Sequence, residues 1–182
     1  MDLWNPRVYD NPNPIYFFTA TINSWKLLLE RKSNYEVIMK SLTHLVTKDI
    51  VYLYGFVLMP HHIHLLWNIR DPHPLADVQR NFLRYTAQVM KLEMMKSADP
   101  FLEEFKSTQR DRKYHIWERN PLSIPCYTRK VVEQKLDYIH RNPLKAKWRL
   151  ARTTLDYYYS SARFYDRGHD DWGILTHYRD HC

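Results

Sequence analysis

His62, Ile63 and His64 place two imidazoles two residues apart. In an extended chain such residues share one face of the strand, about 6–7 Å apart. Two imidazoles leaning together across that gap can hold one metal ion between them. A second constellation lies far downstream, where Gln134, Tyr138 and Asn142 are spaced four apart. On a helix these three project from one face, with the phenol in the middle. Asn and Gln each carry an amide oxygen, a hard ligand suited to Mg2+ or Mn2+. Two histidines and one amide leave coordination positions open for water and phosphate oxygens. His62 and His64 are the candidate metal pair, and either amide, Asn142 or Gln134, could complete the set. Tyr138 sets a phenol between the two amides. A phenol, with its pKa of about 10, attacks only once its proton is removed or its phenolate is stabilised.

Both constellations need elements to position them. Residues 55–67, Gly-Phe-Val-Leu-Met-Pro-His-His-Ile-His-Leu-Leu-Trp, read as a strand, a break at Pro60 and a second strand bearing the histidines. Proline donates no ladder hydrogen bond, so Pro60 belongs at the turn or at the start of the following strand. Residues 15–22 are dense in aromatic and β-branched side chains and predict a first strand. Residues 34–48 space Val37, Ile38, Leu42, Leu45 and Val46 as a helix. Residues 75–95 predict a long helix with Leu75, Val78, Phe82, Tyr85, Val89 and Leu92 in one apolar row. Arg80, Arg84 and Lys91 gather on the far side, where they suit either a phosphate backbone or a solvated surface. Residues 106–113 read as a polar loop, 114–117 as a short fourth strand and 120–125 as a connection. Thr128 caps a helix that carries Tyr138 and ends at Asn142, because Pro143 disfavours helical geometry in the residue before it. The order strand, helix, strand, strand, helix, strand describes an α+β, ferredoxin-like split βαβ fold with an antiparallel sheet, to which the tyrosine helix is added. Residues 1–14 form an irregular arm, 15–150 the domain, and 151–182 a C-terminal extension packing on it.

The chain of 182 residues carries a formal charge of +7 and is 45% apolar, which argues for a packed domain with a polyanionic partner. Three glycines leave no Gly-rich phosphate loop, and two cysteines form neither a disulfide framework nor a zinc knuckle. The expected compartment is the reducing cytoplasm. No apolar run reaches the roughly 20 residues that span a bilayer, so no membrane role is expected. Aromatic residues make up 15% of the chain; most should be core, though rings interleaved with lysine and arginine can also stack on unpaired bases.

Residues 55–66, the run Tyr138-Ile-His-Arg-Asn-Pro-Leu-Lys-Ala146 and the run Tyr159-Ser-Ser-Ala-Arg-Phe-Tyr165 together resemble the REP-associated tyrosine transposases, a group within the single-tyrosine HUH, insertion-sequence type, family. The resemblance spans residues 15–165. It implies an enzyme that nicks and rejoins single-stranded DNA beside an imperfect hairpin. His62 and His64 match the metal-binding pair, and Tyr138 matches the nucleophile that becomes joined to a DNA 5′-phosphate and releases a 3′-OH. Asn142 stands where simpler relatives have glutamine, His61 where asparagine is commoner, and Lys147 where glycine is usual. Members commonly dimerise while some act as monomers, so a second copy is a candidate partner beside single-stranded hairpin DNA.

Neighbouring residues have their own readings. Strand alternation puts His61 with Ile63, packing or meeting solvent. His140 is rotated by about 200° from Tyr138 and serves packing or a phosphate contact. Tyr157, Tyr158 and Tyr159 lack a flanking ligand set and read as core or stacking residues. Arg141, Lys145, Lys147 and Arg149 form a basic rim where a DNA strand would enter; with Arg80 and Arg84, the residues Arg141, Lys145 and Lys147 are the DNA-binding candidates. Two other classes compete with a nicking and strand-transfer enzyme: a non-catalytic or domesticated single-strand-binding protein, and a metal-dependent hydrolase in which Tyr138 is structural.

Overall fold

The computed structural model describes residues 14–107 and 113–181. Residues 1–13 of the expected N-terminal arm and most of the expected polar loop lie outside them, as does Cys182. Four strands, β1 (Ile15–Thr21), β2 (Val51–Met59), β3 (His62–Ile69) and β4 (Leu122–Cys126), form an antiparallel sheet in the order β2-β3-β1-β4. Helices α1 (Lys32–Thr47) and α2 (Leu75–Lys96) cover one face, and α3 (Arg129–Arg141) packs on the other. This is the α+β, ferredoxin-like arrangement with an added tyrosine helix.

Alternation along the strands divides the core in two. Phe18, Ala20, Leu53, Phe56, Ile63, Leu65 and Trp67 join α1 and α2 in one cluster. Phe17, Tyr54, Val57, Met59 and Leu66 meet Val132, Leu136 and Ile139 of α3 in the other. Pro60 and His61 form the two-residue turn between β2 and β3, with Met59 paired to His62. The register of this hairpin shifts between Leu53 and Gly55, so Tyr54 and Gly55 crowd opposite Leu66. Gly55 also lets α3 approach. A Cβ built there would lie 2.6 Å from Leu136 Cδ1.

Three sequence expectations change. The fourth strand is Leu122–Cys126, within the segment read as a connection, while residues 114–117 contribute only isolated bridges, Tyr114 to Lys106 and Trp117 to Ile22. Pro125 is tolerated because β4 is an edge strand. In α2 the buried row is Val78, Phe82, Thr86, Met90 and Met94, whereas Tyr85 and Leu92 are 58% and 49% exposed. Thr86 can sit inside because its hydroxyl donates to the Phe82 carbonyl and accepts from Trp117 Nε1–H at 3.1 Å. Finally, α3 ends at Arg141, yet Asn142 keeps helical angles (φ −55°, ψ −45°) and leads into a 3-10 turn, Asn142–Leu144.

The C-terminal segment covers the free edge of β2. Leu58 N–H donates to the Tyr159 carbonyl and Ser161 N–H to that of Phe56. The Tyr157 and Tyr165 hydroxyls donate to the Leu58 and Tyr54 carbonyls, both at 2.7 Å. Tyr165 lies in a short helix, α4 (Ala162–Arg167), and beyond it Thr176 N–H donates to the Leu53 carbonyl. The Gly55 contact is testable. Gly55→Ala should destabilise the fold by about 1–3 kcal/mol through overpacking, and in a Gly55→Ala/Leu136→Ala double variant the two penalties should add to less than their sum. Denaturant midpoints measure this; strict additivity would contradict the contact.

Candidate functional site

β3 turns His62 and His64 toward α3, and β1 lies directly beside them. Thr19 is the cross-strand partner of His64, and Thr21 that of His62. Thr19 Oγ1 lies 2.7 Å from His64 Nδ1, and His61 Nε2 lies 2.9 Å from His62 Nδ1. Each candidate ligand thus has its Nδ1 tethered, which leaves Nε2 as the coordinating atom when Nδ1 carries the proton. The two imidazole centroids are 4.6 Å apart.

Tyr138 arrives from α3. Its ring centroid is 5.3 Å from that of His64 and 5.9 Å from that of Phe17, and Phe17 stacks on His64 at 5.3 Å. The phenol is 41% exposed, so it is held at the base yet reachable. Its register on α3 follows from the buried row Val132, Leu136 and Ile139, which fixes the helix face that meets the sheet. The nucleophile candidate and both histidines belong to one chain. Asn142 keeps helical backbone angles four residues after Tyr138. Asn142 is 2% exposed, whereas Gln134 is exposed.

Beyond α3 the chain folds back over the histidines. Leu150 N–H donates to the Pro143 carbonyl and Trp148 N–H to that of Lys145. Lys145 Nζ comes to 3.9 Å from the Tyr138 ring centroid, and Lys147 Nζ to 4.7 Å from that of Trp148. Arg141 is exposed and paired with Asp137. Arg80 and Arg84 are exposed on α2, whose packing lies on the opposite sheet face, and do not join this cluster; Arg80 pairs with Asp77. A groove of about 740 Å³ between α1 and α2 also lies on that far side. At the site itself the two histidines are buried and Tyr138 is exposed.

Burial pushes the His62 imidazole down to about 2 and that of His64 to about 3. After burial, His62 feels chiefly its neighbouring histidines and then Lys145, while Lys145 comes next for His64. Both are neutral at physiological pH, the form that ligates a metal. His64 Nε2 is buried with no hydrogen-bond partner. A native structure seldom leaves such an atom orphaned unless an ion or water meets it, so the site fits a bound divalent cation. Among the described residues no group of three His, Cys, Asp or Glu side chains could hold a metal.

His61 differs from the expectation of strand alternation. It sits in the turn, fully buried, with its ring 4.4 Å from His62 and 4.2 Å from Trp148. Alternation does not apply to a turn residue. His140 packs against Tyr165, with Nε2 2.9 Å from Ser161 Oγ, and burial lowers it to about 4. Tyr157 and Tyr159 pack with Tyr35. Sequence reasoning missed Thr19, Trp25 and Trp148. Only Thr19 had a usable signal, since Thr19 and Thr21 alternate in step with the two histidines.

No protein-family model matches the chain, and no curated protein matches it in sequence. Its structure is similar to a REP-associated tyrosine transposase bound to a REP hairpin, at 17% identity and a TM-score of 0.62, over 97% of this chain and 92% of that one. A candidate transposase from Deinococcus radiodurans R1 is similar at 18% identity and a TM-score of 0.47, over 78% of this chain and 97% of that one. The first likeness establishes a shared fold. No helix among the described residues is long and apolar enough to cross a membrane.

Buried neutral histidines make the metal-free protein acid-sensitive. The unfolded chain takes up protons near pH 6.5, while the folded His140, held at about 4, does not. Stability is full above pH 6.5 and falls as pH drops through that window, by roughly 2 kcal/mol for one such group at pH 5. Denaturant midpoints in chelator at pH 7, 6 and 5 should decline, and His140→Gln should decline less steeply. Equal slopes would contradict this.

Proposed function

We propose that this protein is a divalent-metal-dependent single-stranded DNA endonuclease and strand transferase acting through a 5′-phosphotyrosine. The observation that carries the reading is the convergence of Tyr138 with His62 and His64, whose neutral state, and the unpartnered Nε2 of His64, suit a metal. The shared fold with a hairpin-bound transposase adds support, and hairpin-bearing single-stranded DNA is the substrate class.

In this reading the Tyr138 oxygen attacks the scissile phosphorus. The bond to the 3′ oxygen breaks, the DNA 5′-phosphate remains on Tyr138, and the 3′ oxygen leaves as a hydroxyl. Reversal by an incoming 3′-OH rejoins strands without ATP, because the phosphotyrosine keeps the bond energy of the phosphodiester. Phe17 and His64 wall the phenol and limit its approach directions, which favours a near-attack geometry. The Lys145 ammonium stands beside the ring and attracts the phosphate to it. Thr19 and His61 hold the imidazoles in a single orientation. His62, His64 and Asn142 would hold Mg2+ or Mn2+, which supplies Lewis-acid polarisation of the phosphate.

Incubation with Mn2+ and hairpin-bearing single-stranded DNA should yield a protein–DNA adduct on denaturing gels. Tyr138→Phe should abolish it, as should chelation or His64→Ala. An adduct persisting in Tyr138→Phe would sink the assignment, and cleavage without an adduct would favour a hydrolase. Thr19→Val should weaken Mn2+ affinity by roughly 10–100-fold while leaving the fold intact. Calorimetric titration reads this directly, and an unchanged affinity would refute the tethering role.

A further inference from the structure

An indole stands exposed one ring away from His62. Trp25 is 59% exposed, and its centroid lies 5.1 Å from that of His61 and 6.5 Å from that of His62. Large aromatic rings gain much from burial, so one left open beside a reactive centre calls for a reason. The backbone holds it there against its own preference. Ser24 and Trp25 have φ of 57° and 58°, in the left-handed region that such residues seldom enter and that clusters at functional sites. Hydrogen bonds over-determine this turn. Asn23 N–H donates to the Ile116 carbonyl at 2.8 Å, Ser24 N–H to the Glu118 carboxylate at 2.6 Å and Ile22 N–H to the His61 carbonyl at 2.7 Å.

The buried His61 ring packs against both Trp25 and Trp148, with centroids 5.1 Å and 4.2 Å away. Lys147 Nζ lies 5.6 Å from the Trp25 centroid and 4.7 Å from that of Trp148. The result is a rigidly backed aromatic surface with an ammonium at hand, next to the proposed metal ligands. Proteins that bind single strands pair these two features, because a base stacks on the ring while the cation tracks the backbone. An apolar protein partner would use the ring but has no need of the lysine.

We propose that Trp25 is a stacking platform for one unpaired nucleobase flanking the scissile phosphate, with Lys147 engaging the adjoining phosphate. The proposal rests on the single-strand nicking function above. Stacking tolerates any base, so the platform sets the position of the strand relative to Tyr138 and not its sequence.

The test is an abasic scan. Hairpin-bearing oligonucleotides with one abasic site at each position around the cleavage point are titrated, with Mn2+, against Tyr138→Phe protein, so that binding is read without cleavage. One flanking position should weaken binding roughly tenfold when its base is removed. Adding Trp25→Ala should weaken binding to intact DNA by a similar factor and abolish the sensitivity at that position alone; Trp25→Phe should retain most of it. A scan flat at every flanking position, or one identical with and without Trp25→Ala, overturns the proposal. The Trp25→Phe variant and the scan without any Trp25 change guard against a variant that fails to fold. Positional sensitivity in the absence of any wild-type adduct would instead overturn the nicking function and leave the platform standing. Failure to bind single-stranded DNA at all overturns both.

Discussion

The site depends on the antiparallel register of β1 against β3. Six consecutive pairs, from Tyr16 with Trp67 to Thr21 with His62, place Thr19 opposite His64. The same register sends Ile63, Leu65 and Trp67 into the core beneath α1 and α2 while His62 and His64 face α3. A slip of one residue would exchange these sets, driving imidazoles into a cluster of Leu and Trp. Fully burying an aliphatic or aromatic side chain stabilises by about 1.5–3 kcal/mol. Residues with no chemistry of their own therefore enforce the position of those that have it.

That enforced burial also sets the electrostatics. An imidazolium pair beside Lys135, Lys145 and Lys147 would suffer both desolvation and repulsion, so the histidines stay neutral. Neutrality suits metal binding and leaves the positive charge on the lysines, where a phosphate can meet it. Aromatic rings separate these lysines from the histidines: Lys135 lies over Phe17, and Lys145 over Tyr138. A ring face attracts an ammonium without neutralising it.

Much of this was legible in the chain. The period-2 histidines and the period-3.6 tyrosine helix are strong local patterns, and Pro60 marks the hairpin. What escaped had no local signature. β4 contains Pro125, which argues against a strand until one knows that the strand is an edge. The buried row of α2 includes Thr86, whose polarity is offset by bonds to Phe82 and to Trp117, 31 residues away. His61 was assigned a face by alternation, but the turn exempts it. Trp25 and Trp148 reach the histidines from opposite ends of the chain through backbone turns that no periodicity encodes.

Net charge, finally, does not place the proposed nucleic-acid face; the surroundings of each cation distinguish the two sides of the sheet. Arg80 and Arg84 looked equivalent to Lys145 and Lys147 in the sequence, yet the sheet separates the two groups. Arg80 and Arg141 hold exposed carboxylates one turn away. Such pairs stabilise by about 0–1 kcal/mol at most, so they would yield readily to a phosphate. Lys145 stands over the Tyr138 ring at 3.9 Å and Lys147 over that of Trp148 at 4.7 Å, and both act on the His62 imidazole. In the proposed reading, a strand drawn to this molecule by its overall charge of +7 would meet lysines and the candidate reactive groups together on the α3 face. The fold thus converts a diffuse attraction into a located one.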